Sequence, residues 1–173
     1  MDVMDLMIGF QHLDRDRSDN SQVPDVPSLR CIQQLLVNMG DKPDRFMDSR
    51  EWIGSVEVGL VVDQLYNIPC KILHFTSGTD LCLNINMLEE HFRMKGSPVM
   101  IGGDSDTSSK CLLGTCRADD GKFMLILDPH YYGPEPDQNM LIESNMLLWR
   151  SVDSFMVDSF YNMCLPQYIS KTS

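Results

Sequence analysis

The chain has 173 residues, of which 43% are hydrophobic and 23% charged, a composition typical of one ordinary globular domain. Its formal net charge of −11 repels phosphate backbones and anionic lipids, so nucleic acids and membrane surfaces are poor partners for it. No apolar run approaches the roughly 18 residues that a membrane-spanning helix needs, so we expect no membrane insertion.

Residues 1–27 differ from the rest of the chain. After an apolar start broken by Asp5, the stretch becomes charged and then rich in Ser, Asn and Pro, which predicts a flexible leader. The first residues lack the basic lead of a secretory signal. We therefore divide the chain into a leader, 1–27, and a single domain, 28–173.

Helical spacing dominates the first half of the domain. Ser28 can cap a helix whose apolar residues recur at helical spacing until Gly40. A second helix is predicted from near Ser55 to Pro69, and a third over residues 83–95.

Strand patterns dominate the second half. Strands are predicted at 71–75, 98–103, 110–118, 122–129 and 160–166, with 110–118 and 122–129 forming a hairpin across an Asp-Asp-Gly turn. Helices followed by clustered strands favour an α+β fold with a mainly antiparallel sheet.

The six cysteines show neither a CxxC pair nor the dense spacing of a disulfide scaffold; they are Cys31, Cys70, Cys82, Cys111, Cys116 and Cys164. Reduced thiols and a cytoplasmic location follow as the expectation. Five of the six, all except Cys31, are predicted to be core residues.

The segment "FMLILDPHYYG" (123–133) places Asp128 and His130 two residues apart at the end of an apolar strand. Alternate residues of a strand share a face, so the carboxylate can orient the imidazole for general-base catalysis. Pro129 donates no ladder hydrogen bond and would open the sheet there. Asp-Pro is also a common turn opener, and the histidine of such a turn is often only a surface residue.

A metal site at Asp128 and His130 would need further ligands, for which His74 and His91 are the candidates. Neither histidine stands at the spacing of a metal-binding motif, so we predict no metal and no cofactor. The other acidic group, Asp104 and Asp106, follows a strand as in Mg²⁺-dependent phosphotransferases. Its spacing fits neither that class nor a calcium loop, so a solvated loop is the favoured interpretation and a Mg²⁺-dependent hydrolase the alternative.

Five blocks in order resemble the papain-like cysteine proteases specific for the ubiquitin-fold modifier. They are "MGDKPDRFMDSREWIGSVEV" (39–58), "GSPVMIGG" (96–103), "LLGTC" (112–116), "LILDPHYYG" (125–133) and "FYNMCLP" (160–166). The loop at 102–114 is more similar to the shorter of the two family types. Autophagy cysteine proteases share the Asp-Pro-His box but do not resemble the block around Trp52, so they rank second.

The resemblance implies a papain-like fold in which His130 is the general base and Asp128 orients it. It also implies that the modifier and its conjugates are the partners. The family's nucleophile is a cysteine in a Gly-Trp-Gly-Cys segment at the start of the central helix, assisted by an upstream tyrosine. Neither that segment nor any cysteine or tyrosine stands before Ser28.

The resemblance leaves two explanations open. The chain is an inactive relative of the thiol proteases that mature the modifier or remove it from conjugates, and still binds the modifier without cleaving it; or the true product begins further upstream and carries the nucleophilic cysteine there. Cys31, the nearest thiol, is expected to be half-buried and not aimed at His130. Trp52 is expected to serve packing, or else to border the groove that takes the modifier's C-terminal Gly. The sequence does not predict the oligomeric state.

Overall fold

The computed structural model describes residues 26–105, 109–133 and 136–168, which form five helices and six strands. The helices are α1 (Leu29–Asn38), α2 (Ser55–Tyr66), α3 (Gly78–Leu83), α4 (Asn86–Met94) and α5 (Gln138–Glu143), with 3-10 turns at Asp44–Phe46 and Val152–Ser154. The strands are β1 (Cys70–Phe75), β2 (Val99–Gly103), β3 (Lys110–Ala118), β4 (Gly121–Leu127), β5 (Leu147–Ser151) and β6 (Tyr161–Pro166).

The six strands form one sheet in the order β1-β6-β2-β3-β4-β5, and every neighbouring pair is antiparallel. Helices on a mainly antiparallel sheet confirm the predicted α+β class. The hairpin of β3 and β4 is also confirmed, with Ala118 opposite Gly121 across a two-residue turn.

Strand alternation divides the apolar residues between two cores, one on each face of the sheet. One face packs with α1 and α2, where Ile32 and Val62 lie against Met100 and Cys164. The other packs with α3 and α4 in a larger cluster that includes Leu81, Leu88, Ile101, Leu112, Ile126 and Met163. The sheet is thus covered by helices on both faces.

The first two helices begin and end where their sequence signals predict. The Ser28 hydroxyl caps α1 by accepting a hydrogen bond from the Cys31 backbone N–H. The α2 helix is capped at its start by Gly54, whose N–H donates to the Glu57 carboxylate, and at its end by Asn67 in the left-handed conformation.

The third helix predicted over residues 83–95 is confirmed over Asn86–Met94 but begins three residues later than predicted, after a separate short helix that was not predicted. The Asn84 side chain bonds the Asp80 carbonyl and carboxylate and ends α3 at Leu83; α4 then starts at Asn86. The strand predicted to continue to residue 129 ends at Leu127, because Pro129 has no N–H for the ladder. No sequence pattern predicted α5 or β5.

One end of the sheet gathers the residues that concern function. The antiparallel register brings the last residues of β1, β2 and β4 to the same end as the first residues of β3 and β6. No helix of the described residues is both long and apolar enough to cross a membrane.

Candidate active site

Asp128 and His130 lie at that end of the sheet, immediately after β4. The Asp128 Oδ1 accepts a hydrogen bond from the His130 backbone N–H at 3.0 Å and lies 2.6 Å from the His130 Nδ1. A side chain that bonds the backbone N–H two residues on defines an Asx turn. The predicted proximity is therefore present, but a turn produces it rather than strand alternation.

The environment of Asp128 favours its ionised form. Partial burial opposes ionisation, but the His130 N–H, its imidazole and Lys110 together hold the pKa of the Asp128 carboxyl below its usual value. The Lys110 ammonium lies 3.9 Å from the second carboxylate oxygen. The acid is thus a stable acceptor for the imidazole Nδ1–H.

This arrangement leaves the other ring nitrogen of His130 available. With Nδ1 donating to Asp128, the neutral imidazole carries its lone pair on Nε2, and no described residue bonds that atom. The side chain is 43% exposed, so a reacting group can approach Nε2. The pair can therefore take a proton from a nucleophile and stabilise the resulting imidazolium.

A groove of about 360 Å³ opens at the same end of the sheet, beside the start of α2. We call it the Trp52–Phe160 groove; its lining residues are Trp52, Gly54, Ser55, Gly102, Gly103, Asp104, Phe160 and Asn162. Trp52 is 57% exposed and lines this groove, so it is not a core residue. Whether its side chain serves mainly local packing or binding stays a prediction.

A model described as Peptidase family C78 matches residues 7–164, a range that begins inside the predicted leader. The chain belongs to peptidase family C78. Ufm1-specific protease 2 of Gallus gallus is 44% identical to it over 144 residues, covering 82% of this chain and 31% of that protein. Ufm1-specific protease 1 of Mus musculus is 40% identical over 141 residues, covering 80% of this chain and 65% of that protein.

The crystal structure of UfSP from C. elegans has the same fold, with a TM-score of 0.71 at 33% identity over 87% of this chain and 27% of that chain. This C78 chain therefore has the papain-like fold expected from its sequence. It spans about a third of the length of the protease 2 relative. Similar identities to proteases 1 and 2 do not separate the shorter from the longer family type.

A C78 peptidase needs a thiol near the imidazole, and all six cysteines of this chain lie in described residues. None of them bonds His130 in the described parts of the chain. Cys111 and Cys164 are buried, and burial raises the pKa of Cys111 to about 12. The Asp153 carboxylate raises the pKa of the partly buried Cys82.

Two expectations about the cysteines need correction. Cys31 is exposed rather than half-buried, because it lies in the first turn of α1 on the side of the helix that faces away from the core. Cys116 is exposed rather than a core residue, since it lies where the β3–β4 hairpin extends towards its tip.

The other candidate residues are dispersed. His74 bonds the Asn162 side chain at 2.7 Å, and the buried His91 bonds Ser97. Asp104 lies in the Trp52–Phe160 groove, and Asp106 is outside the described residues. Among the residues with described positions, no group of three metal-ligating side chains comes together.

Sequence reasoning missed the part that Lys110 plays beside Asp128 and the part that Phe160 and Asn162 play in the groove. The predicted β3–β4 hairpin could have indicated the position of Lys110, because the hairpin register places it beside Asp128. A two-residue turn at Asp119–Asp120 alone would place residue 110 opposite residue 129, and the bulge between Leu112 and Gly114 moves it opposite residue 128.

Proposed function

We propose that this chain recognises the ubiquitin-fold modifier Ufm1 and its conjugates, keeps the base and orienting acid of a Ufm1-specific thiol protease, and binds these partners without cleaving them. The observation that carries the proposal is the His130–Asp128 pair, a base and its orienting acid held at 2.6 Å. Relatives named Ufm1-specific proteases support the choice of partner.

The placement of the thiols supports the proposed absence of cleavage. A cysteine nucleophile needs its thiolate stabilised by a helix N-terminus or a nearby imidazolium, within hydrogen-bond reach of the base. Cys31 has the helix N-terminus but no contact with His130, and the other five have neither. Loss of one triad member commonly lowers the rate by about 10⁴-fold or more.

The test has a binding arm and a cleavage arm. Calorimetry with mature Ufm1 should detect binding to the full chain, and a fluorogenic Ufm1 conjugate should remain uncut. Replacing residues 1–27 by a helix that carries Gly-Trp-Gly-Cys should then create cleavage. His130→Ala should abolish that activity while leaving the melting temperature unchanged, because its side chain is partly exposed.

Three outcomes would contradict parts of this proposal. Cleavage by the unmodified chain, lost in Cys31→Ser, would show that Cys31 is the nucleophile. A folded but inactive Gly-Trp-Gly-Cys chain would remove His130 and Asp128 from catalysis. Failure to bind Ufm1 would reject the partner.

We also propose a cytoplasmic location, a part in ufmylation, and no role for nucleic acids, membranes, metals or cofactors. Six free cysteines suit a reducing compartment, and the acidic chain repels anionic polymers and lipids. Fractionation of cells that express a tagged chain would test the location.

A further inference from the structure

The Trp52–Phe160 groove has aromatic walls and a floor without side chains. Trp52 is 57% and Phe160 38% exposed, and both side chains line the groove. The floor is formed by Gly102 and Gly103 at the end of β2. Such a groove can accept a long, narrow side chain between two aromatic groups.

The Phe160 wall is held in place by its neighbours. Its ring centroid lies 5.6 Å from that of His74, and the His74 Nδ1 lies 2.7 Å from the Asn162 Oδ1. His74 and Asn162 are directly opposite each other in the β1–β6 ladder. The wall is therefore fixed to the sheet before any ligand arrives.

The charge in the groove is negative and unpaired. Asp104 is fixed by its backbone N–H, which donates to the Ser159 hydroxyl at 3.2 Å and to the Phe160 carbonyl at 3.3 Å. Its carboxylate has no partner in the part of the chain that the structure describes, and neither Lys nor Arg lines the groove. A cationic ligand would therefore complement the charge of this groove.

An anion is a poor ligand for the same groove, although the start of α2 faces it. The Glu57 carboxylate already accepts the Gly54 N–H at 3.0 Å, so the helix start has its own negative cap. Glu57 is itself paired with Lys42, so Asp104 is the carboxylate that would repel a bound carboxylate or phosphate.

We propose that the Trp52–Phe160 groove binds a lysine or arginine side chain from an extended segment of a protein partner. The aliphatic stem would lie along Trp52 and Phe160, and the charged head would interact with the aromatic faces and Asp104. The proposal rests on the proposed function only in taking the ligand to be a protein.

The groove and the His130–Asp128 pair lie at the same end of the sheet. Gly103 ends β2 and Asp128 follows β4, two strands away at the same end of the sheet. Two strand spacings amount to about 10 Å, the span of roughly three extended residues.

The experiment measures binding of labelled pentapeptides to the full chain by fluorescence anisotropy. The probes are Gly-Gly-Lys-Gly-Gly and its arginine, norleucine and glutamate counterparts, with capped termini. Norleucine keeps the stem and removes the charge. We expect the lysine and arginine peptides to bind at least tenfold tighter than the norleucine peptide, and the glutamate peptide not to bind.

Matched variants locate the binding in the groove. Asp104→Asn should reduce lysine binding to the norleucine level, whereas Asp119→Asn, which makes the same charge change at the hairpin tip, should not. Trp52→Leu should weaken binding about tenfold, and Trp149→Leu, which removes the 51%-exposed tryptophan of β5, should not.

Gly102→Ala tests the floor without removing a contact. The added Cβ would lie 3.5 Å from the Ser55 hydroxyl and 3.7 Å from the Ser109 hydroxyl, an ordinary contact, so the fold should tolerate it. The methyl group should still weaken binding by narrowing the groove. This variant remains decisive if Trp52→Leu fails to fold.

The proposal is overturned if the norleucine and lysine peptides bind equally. It is equally overturned if Asp119→Asn weakens binding as much as Asp104→Asn does, or if no peptide binds at about 1 mM, the weakest affinity of interest. None of these measurements uses Ufm1 or cleavage, so a failure of the proposed function would leave the result on the groove unaffected.

Discussion

Gly78 is the position where a single methyl group should cost the most. It is the first residue of α3, and its N–H donates to the Met156 carbonyl at 3.0 Å. A Cβ at Gly78 would lie 2.6 Å from the Phe155 carbonyl oxygen and 2.7 Å from that of Met156. Gly78→Ala therefore forces two backbone carbonyls to move.

The clash is difficult to relieve because the opposing segment is fixed. The Phe155 ring is buried and packs edge-on against Tyr161, and the Tyr161 hydroxyl accepts the Met156 N–H at 2.9 Å. Overpacking of this kind costs about 1–3 kcal/mol. In a domain of this size a loss of about 2 kcal/mol lowers the melting temperature by roughly 4–8 °C.

Urea unfolding followed by tryptophan fluorescence measures the change in the free energy of unfolding. Gly114→Ala is the matched control, because its Cβ would meet no atom within 4 Å. It should change stability by less than about 0.5 kcal/mol. Equal stability of Gly78→Ala and Gly114→Ala would show that the backbone at Phe155 moves at little cost. The short distance between Gly78 and the Phe155 and Met156 carbonyls would then not limit stability.

Two further predictions concern titratable groups. Burial lowers the pKa of His91, so the unfolded chain binds more protons below about pH 6.5, and the melting temperature should fall as the pH drops below that value. In His91→Gln the melting temperature should depend less on pH between 7.5 and 5.5. An unchanged pH dependence of the melting temperature would contradict the reasoning. Mass spectrometry after iodoacetamide treatment of the native protein should find Cys31 and Cys116 alkylated at the ordinary rate of free thiols. Cys111 should stay unmodified until urea is added, because its thiol is buried and its pKa is raised to about 12. Labelling of Cys111 before urea is added would refute this.

The sequence by itself determined the features that depend on neighbours along the chain. The Ser28 cap, the stop at Gly40 and the start at Ser55 follow from local hydrogen bonding and backbone preference. Asp128 and His130 are two residues apart, so either an extended strand or an Asx turn brings their side chains together. This local origin explains why the pair was predicted although its backbone geometry was not.

The tertiary structure decided which distant residues share a site. Trp52 and Phe160 meet across one groove because α2 lies over β6 and β2, and Lys110 approaches Asp128 through the register of the β3–β4 hairpin. Strand order and register arise from packing between elements far apart in sequence, which no local pattern encodes. For the same reason the exposure of Trp52, Cys31 and Cys116 followed from the assembled sheet and not from residue type.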